Sequence, residues 1–274
     1  MNAYVSLVST DDYVDGLLCM AMSLLDTQPR YPLVVMTSPR LSPEAVGRIE
    51  GFGLATLPLT DRYRLPDHVR EKNEVPRWLG TFAKLEMFEL TQYAKIVFLD
   101  ADMLVTRNLD HLFDCPHPSA AVYQARVPPF EHWNFPNTGL LVISPRRGLG
   151  QEIFATWPTV HQQFETFSEQ NLIHEYFRGI FRERRGPWEI SVMYNACAFI
   201  LDKIIRQENL NLNLRQPDDR TVAVVHFTSP NKPWAMSLSF LAYFILRKTA
   251  GGRWNELRAY RRYHYYLRRV RRKT

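Results

Sequence analysis

Apolar positions along this chain fall into short continuous runs separated by stretches with helical spacing. Ala3 to Val8 is a run of strand type, followed by the polar turn Ser9-Thr-Asp-Asp12 and an apolar-rich stretch, Tyr13 to Leu25, that predicts a helix. Pro32 to Met36 predicts a second strand, Ser42 to Gly51 a helix opening on Ser-Pro-Glu, and Leu54 to Leu57 a third strand. This βαβαβ rhythm is that of an α/β domain, with a mainly parallel sheet flanked by helices and a ligand crevice beyond the carboxyl ends of the strands. Asp61 to Trp78 is charged, punctuated by proline and aperiodic, which predicts a long surface loop or lid; Gly80 to Thr91 then predicts a helix. Lys95 to Leu99 is a further apolar run, and Asp110 to Phe113 predicts a helical turn. Ala120 to Gln124, Gly139 to Ser144 and Thr221 to Phe227 predict strands; Leu149 to Phe164, Glu169 to Phe177 and Ser237 to Leu246 predict helices. No internal repeat or low-complexity segment interrupts the pattern.

With 274 residues, 46% hydrophobic and 23% charged, the chain can bury a sizeable core and is expected to form one large domain, residues 1–236, with an appended segment, 237–274. No apolar run approaches the roughly 20 residues of a membrane-spanning helix. The start Met1-Asn-Ala-Tyr-Val leads straight into a strand, and three widely spaced cysteines (Cys19, Cys115, Cys197) indicate neither a disulfide framework nor a metal knot. The expectation is a soluble protein of a reducing, cytoplasmic compartment. The net charge of +6 is unevenly placed. Eleven Lys or Arg stand against the single acid Glu256 from Arg247 onward, so the preceding residues, with 23 basic and 27 acidic, carry about −4.

The candidate chemistry lies where the run Ile96-Val-Phe-Leu99 ends on Asp100-Ala-Asp102. Two carboxylates one residue apart at the edge of a low-dielectric core call for a cation, because unpaired like charges there are unfavourable. Hard divalent cations choose such oxygens and complete their shells with water and phosphates. The plainer reading has Asp100 capping a turn and Asp102 solvated. His226 and Lys232, following another predicted strand, weigh toward the cation.

Five motifs then occur in one order: Phe98-Leu-Asp-Ala-Asp-Met-Leu, Phe135-Pro-Asn-Thr-Gly-Leu, Glu169-Gln-Asn-Leu, Tyr194-Asn, and Val225-His-Phe-Thr-Ser-Pro-Asn-Lys-Pro-Trp234. Together with Val5-Ser-Leu-Val-Ser-Thr-Asp-Asp-Tyr13 they resemble the glycogenin-like, family 8 glycosyltransferases over roughly residues 3 to 235. The resemblance implies a single domain of the GT-A type. Its implied activity is a metal-dependent, retaining transfer of a hexose, with glucose the family default, from a UDP-sugar to a glycan, glycolipid or protein acceptor. It further implies Mn²⁺, with Mg²⁺ as the alternative, held by Asp100, Asp102 and His226, and Lys232 on the diphosphate. Leu7, Val8, Ser9 and Thr10 would surround uracil and ribose, with Tyr13 stacking on the base; Arg77, Lys84, Ala101 and Ser229 would line the sugar and phosphates. Asn137 and Thr138 would face sugar hydroxyls, Glu169 would orient sugar or acceptor, and Gln170 would stand near the anomeric carbon. An inactive protein that keeps the fold and binds a UDP-sugar is the alternative from a different class.

Departures from the family pattern narrow this. Glu169 stands where glycogenin has Asp, and Ser229 replaces a glycine. Gln124 to Trp133 matches poorly. No tyrosine lies between Tyr194 and His226, so self-glucosylation at the usual glycogenin position is excluded. The segment Trp254 to Val270 has the spacing of an amphipathic helix with a basic face. Three uses stay open: peripheral attachment to an anionic, cytosolic membrane face, docking on the acidic body, and, less favoured, nucleic-acid binding. A homodimer is likewise left open.

Overall fold

The computed structural model describes residues 1–70, 76–122, 126–128, 131, 135–164 and 167–273; of residues 68, 70, 76–79 and 238 it describes the backbone only. The opening rhythm is realised as β1 (Asn2–Val8), α1 (Val14–Leu25), β2 (Leu33–Thr37), α2 (Pro43–Gly51) and β3 (Ala55–Pro58). Ser42 starts α2 because its hydroxyl accepts the Ala45 N–H at 3.1 Å while Pro43 takes the first helical position, where no N–H is needed. A short helix α3 (Asp67–Arg70) follows, and β4 (Lys95–Leu99) enters the sheet beside β1. Next come β5 (Met103–Val105), β6 (Ser119–Val122) and β7 (Pro136–Ile143).

The principal sheet has the order β3-β2-β1-β4-β7-β6. Its first four strands are parallel; β7 runs antiparallel to β4, and β6 antiparallel to β7. The carboxyl ends of β1, β2 and β4 therefore share one rim, where β7 begins. A second sheet has β9 (Val224–His226) between β5, antiparallel, and β8 (Ala196–Cys197), parallel. Helices α4 (Leu149–Phe154), α5 (Trp157–Val160), α6 (Glu169–Tyr176), α7 (Arg178–Phe181) and α8 (Leu201–Gln207) complete the body, and α9 (Leu238–Ala250) and α10 (Trp254–Lys273) close the chain.

Three expectations need correction. Pro76–Glu89 winds as a 3-10 run, not as an α-helix over Gly80 to Thr91. Phe82 to Phe88 are all buried, so packing on every side sets its winding, where an α-helix of average propensity would keep a polar face. The single helix expected over Leu149 to Phe164 is divided, because Pro158 has no N–H to return to Phe154. Asn137 and Thr138 belong to β7, which starts at Pro136, three residues before the predicted start. Strands β5 and β8, two or three residues long, and α8 carry no periodic signal long enough to read. Residues 71–75 of the proposed lid and most of Gln124 to Trp133 lie outside the described residues.

The C-terminal helix is not a free tail. Ala259, Tyr260, Tyr263, Tyr266, Leu267 and Val270 are buried and continuous with the core that includes α1. Its start is fixed from α8, whose Asp202 carboxylate accepts the N–H groups of Asn255 (3.0 Å) and Glu256 (3.1 Å). Its basic edge pairs with acids of the body, Arg271 with Asp15 at 2.9 Å and Arg269 with Asp26 at 2.5 Å. The docking reading of the aromatic stripe is the one realised. Tyr243, Ile245 and Leu246 on α9 remain exposed.

Candidate active site

The chain leaves β4 at Leu99, places Asp100-Ala101-Asp102 on the rim, and re-enters a sheet at Met103. Pairing of β5 with β9 sets Met103 opposite His226, and the Phe227 N–H donates to the Asp102 carbonyl at 2.9 Å. Two segments 124 residues apart thereby present their side chains at one point: Asp102 Oδ1 lies 3.1 Å and Asp100 Oδ2 3.8 Å from His226 Nε2. Ligand atoms from the three side chains all fall within 4.8 Å of one another, the one such group among the described residues.

Asn195 decides how the imidazole is used. Its Nδ2 donates to the Asn137 carbonyl at 3.3 Å, which turns its Oδ1 toward His226 Nδ1, 2.9 Å away. Nδ1–H therefore donates to Asn195, and Nε2 is left facing two carboxylate oxygens. A positive charge at Nε2, a proton or a metal ion, reconciles these groups in a buried place, and an orienting partner on the far ring nitrogen is the usual accompaniment of a metal-ligating histidine. The donor set, two carboxylates and one imidazole, fits a divalent ion of the first transition row.

Gly139 explains why the Asn-Thr-Gly motif ends in glycine. Its N–H is held by Asn137 Oδ1 at 2.9 Å and its carbonyl receives the Asp100 N–H at 2.8 Å. A Cβ here would lie 2.4 Å from His226 Cε1 and 2.9 Å from Asp100 Oδ2. The close approach of β7 to the acidic pair depends on its absence.

Two lysines balance the acids. Lys84, buried, lies 3.0 Å from Asp100 Oδ1 and 2.9 Å from Glu169 Oε1. Burial alone would lower its pKa, yet the two carboxylates outweigh burial and hold the ammonium above the usual lysine range. Lys232 lies 2.6 Å from Asp102 Oδ2 and donates to the Phe227 carbonyl at 2.8 Å. Burial raises the Asp100 pKa, offset in part by Lys84. Asp102 goes the other way: against burial, His226 and Lys232 hold it well below the usual carboxylate range. Its ionised form thus favours the fold above the unfolded pKa, and that contribution is lost only as pH falls through the depressed value.

The remaining expected residues fall into three groups. Glu169, Gln170 and Thr138 join the lysine–acid network, while Asn137 bonds to Gly139 and Asn195: Gln170 Oε1 accepts the Thr138 N–H at 3.1 Å, and the Thr138 hydroxyl donates to Glu169 at 3.2 Å. Glu169 is buried against Lys84 and Thr138. Among the described residues, neither Asn137 Nδ2 nor Gln170 Nε2 has a hydrogen-bond partner. Tyr13 reaches the site through Lys232, whose ammonium lies 5.8 Å from its ring centre, and packs edge-on against Trp234 at 5.2 Å. Leu7, Val8, Ser9 and Thr10 stand at the carboxyl end of β1, with Val8 and Ala101 buried in the core, Leu7 and Ser9 half-buried and Thr10 exposed. Ser229 is half-buried on the loop between His226 and Lys232. The side chain of Arg77 lies outside the described residues.

Sequence reasoning gave no role to Asn195 or Gly139. Each lies within a quoted motif, but what each does depends on contacts between distant strands.

The profile of Glycosyl transferase family 8 matches residues 4–237. The chain belongs to that family. It is 27% identical to the UDP-glucuronate:xylan alpha-glucuronosyltransferase 2 of Arabidopsis thaliana and 25% identical to the glycogenin of Neurospora crassa, each over 236 residues and 85% of this chain. It spans about a third of the length of those two relatives (35% and 31%) and 73% of galactinol synthase 3 of Arabidopsis thaliana, with which it shares 25% identity over 85% of this chain. Among solved structures, the galactosyltransferase LgtC in complex with donor and acceptor sugar analogs superposes with a TM-score of 0.60 at 17% identity, covering 92% of this chain and 96% of that one. The glycosyltransferase GlyE of Streptococcus pneumoniae superposes with a TM-score of 0.57 at 17% identity, covering 85% and 57%. These likenesses establish the GT-A architecture, a mixed, mostly parallel sheet flanked by helices.

Gly139→Ala is expected to lower the unfolding free energy by about 1–3 kcal/mol, the ordinary consequence of overpacking, because the new methyl group must displace the His226 ring. Urea denaturation of the two proteins reads this directly; equal midpoints and slopes would show that β7 is not pressed against the site as described.

Proposed function

We propose that this chain is a Mn²⁺-dependent, UDP-sugar-using, retaining hexosyltransferase, with glucose the first candidate for the transferred sugar and a glycan, glycolipid or protein as acceptor. The observation that carries this reading is the convergence of Asp100, Asp102 and Nε2 of His226, beside Lys232, at the rim where β4 ends. The intact set of Asp100, Asp102, His226 and Lys232 favours the enzyme over an inactive sugar-nucleotide binder.

A divalent ion held by Asp100, Asp102 and His226 would supply positive charge to a diphosphate leaving group. Lys232 adds a second charge from the side: two of its three N–H donors are taken by Asp102 and Phe227, and the third is left for a phosphate oxygen. Asn137 Nδ2 and Gln170 Nε2 are donors suited to sugar oxygens, and a site built on such donors discriminates against analogues lacking the matching hydroxyl. Glu169 positions Lys84 and Thr138 for the donor. The acceptor hydroxyl approaches on the face from which UDP departs, and its proton passes to the departing phosphate oxygen, so anomeric configuration is retained without a protein nucleophile. Leu7 to Thr10 and Tyr13, at the end of β1, hold the nucleoside.

The reading extends to a membrane surface, carried by α9 rather than by the aromatic stripe of α10. Leu246 (71% exposed), Tyr243 and Ile245 stand beside Arg247 and precede the exposed Arg258, Arg261, Arg268 and Arg272 of α10. Apolar residues with neighbouring cations suit an anionic interface, where each cation contributes on the order of 1 kcal/mol.

Two outcomes follow. With a panel of UDP-sugars, UDP release is expected with Mn²⁺ and lost with chelator, and Asp102→Asn is expected to lower it by a factor on the order of 10² or more while leaving thermal unfolding cooperative. Turnover near wild type in Asp102→Asn would refute the metal assignment, and silence with every donor would favour the binding protein. The pair Ile245→Glu with Leu246→Glu is expected to release the protein from anionic liposomes in sedimentation; undiminished binding would remove α9 from the account.

A further inference from the structure

Taking Asp100, Asp102 and His226 as a metal site, we propose that Lys232 is a resident cation of that site which weakens metal binding until a diphosphate arrives, so that metal and donor bind interdependently.

The geometry that carries this is the division of one carboxylate between two positive charges. Asp102 turns Oδ1 toward His226 and the metal position, and Oδ2 toward Lys232 Nζ at 2.6 Å. A metal ion on Oδ1 would therefore face an ammonium group across a single carboxylate. The side chains of Lys232 and Asp102 are only 12% and 10% exposed, so water and salt screen that repulsion weakly.

Lys232 is held at both ends. Its ammonium is fixed by the Phe227 carbonyl at 2.8 Å and lies against the Tyr13 ring. Its backbone is anchored by the next two residues, Pro233 and Trp234, both buried. The Trp234 indole N–H donates to the Asp12 carbonyl at 2.7 Å, and its ring lies so close to Gly16 that a Cβ there would be 2.7 Å away. An anchored cation beside a metal position opposes the metal for as long as no anion lies between them.

A nucleoside diphosphate supplies that anion. Its oxygens would face the metal on one side and the free N–H of Lys232 on the other, turning a repulsion into a bridge. By linkage, whatever UDP adds to metal affinity, the metal adds to UDP affinity. The device disfavours a tightly metallated site without donor. It depends on the fixed positive charge of Lys232 and on no change in protonation.

The test is equilibrium binding of Mn²⁺ to the full chain, followed by the electron paramagnetic resonance of free Mn²⁺, with and without saturating UDP and corrected for Mn²⁺ chelated by free UDP. In the wild type, UDP is expected to tighten Mn²⁺ binding on the order of tenfold, an ordinary coupling between two sites. Lys232→Met is expected to bind Mn²⁺ severalfold more tightly than wild type without UDP, and to lose a corresponding severalfold part of the tightening by UDP. Lys232→Gln, which removes the charge but keeps a hydrogen-bonding group, should behave alike if the methionine variant folds poorly. Lys232→Arg, which keeps the charge, should bind Mn²⁺ alone as wild type does; a purely structural role for Lys232 would not sort the variants by charge. Mn²⁺ binding without UDP that is unchanged or weaker in both neutral variants, yet abolished by Asp102→Asn, would overturn the role of Lys232 while leaving the metal site standing. Mn²⁺ binding that survives Asp102→Asn would overturn the site itself and the role of Lys232 with it.

Discussion

The pairing of β5 with β9 is the constraint on which the site depends. Each strand is three residues long, and their register places Met103 against His226. A slip by one residue would turn His226 to the opposite face of its strand and separate it from Asp102. Such short strands do not hold register by their own ladder. The Phe227–Asp102 backbone bond, the β8–β9 pairing and burial of Val224 and Val225 on one side and Met103 and Leu104 on the other do it together. The geometry of the candidate site is thus secured by the hydrophobic core beneath it.

Charge balance is the second level. Three buried carboxylates, Asp102, Glu169 and the less buried Asp100, would be strongly unfavourable if left alone, and two lysines from separate segments meet them. Lys84 ties the β4 rim to α6, and Lys232 ties it to the loop after β9. The network orders the rim from two directions. The remaining face of the acids is turned to His226 Nε2.

The C-terminal helix contributes to this order at a distance. Tyr263 of α10 stacks on Trp234 at 6.1 Å and meets Phe227 edge-on at 5.0 Å, the two aromatic residues that bracket the Lys232 loop. A basic amphipathic stripe read in isolation suggests a surface-seeking tail; Tyr260 and Tyr263 instead pack against Phe227 and Trp234, on either side of the loop that carries Lys232. The amphipathic spacing of Trp254 to Val270 was legible, since a stripe of that period must face something apolar. Its partner was not, because the complementary surface is assembled from α1, β9 and the Lys-Pro-Trp loop, which are remote in sequence. Elsewhere, the long apolar runs β1, β2 and β4 could be read directly, and so could the acidic pair, since carboxylates after a buried run need an explanation. The 3-10 winding of Pro76–Glu89, the two-residue β8 and the orienting role of Asn195 could not, because each is set by tertiary contacts and not by local pattern. Family motifs supplied His226 and Lys232 as partners of Asp102, and the geometry supplied the reason that those residue types serve there.

The central claim is that Asp100, Asp102 and His226 hold a divalent cation at the rim of the sheet. It is tested most directly by crystals grown with Mn²⁺ and UDP and measured at the manganese absorption edge. The account predicts one strong anomalous peak bonded to His226 Nε2 and to an oxygen of each aspartate, with diphosphate oxygens completing the shell. A structure with UDP bound but no anomalous peak among those three side chains, or with the peak held elsewhere, would contradict it.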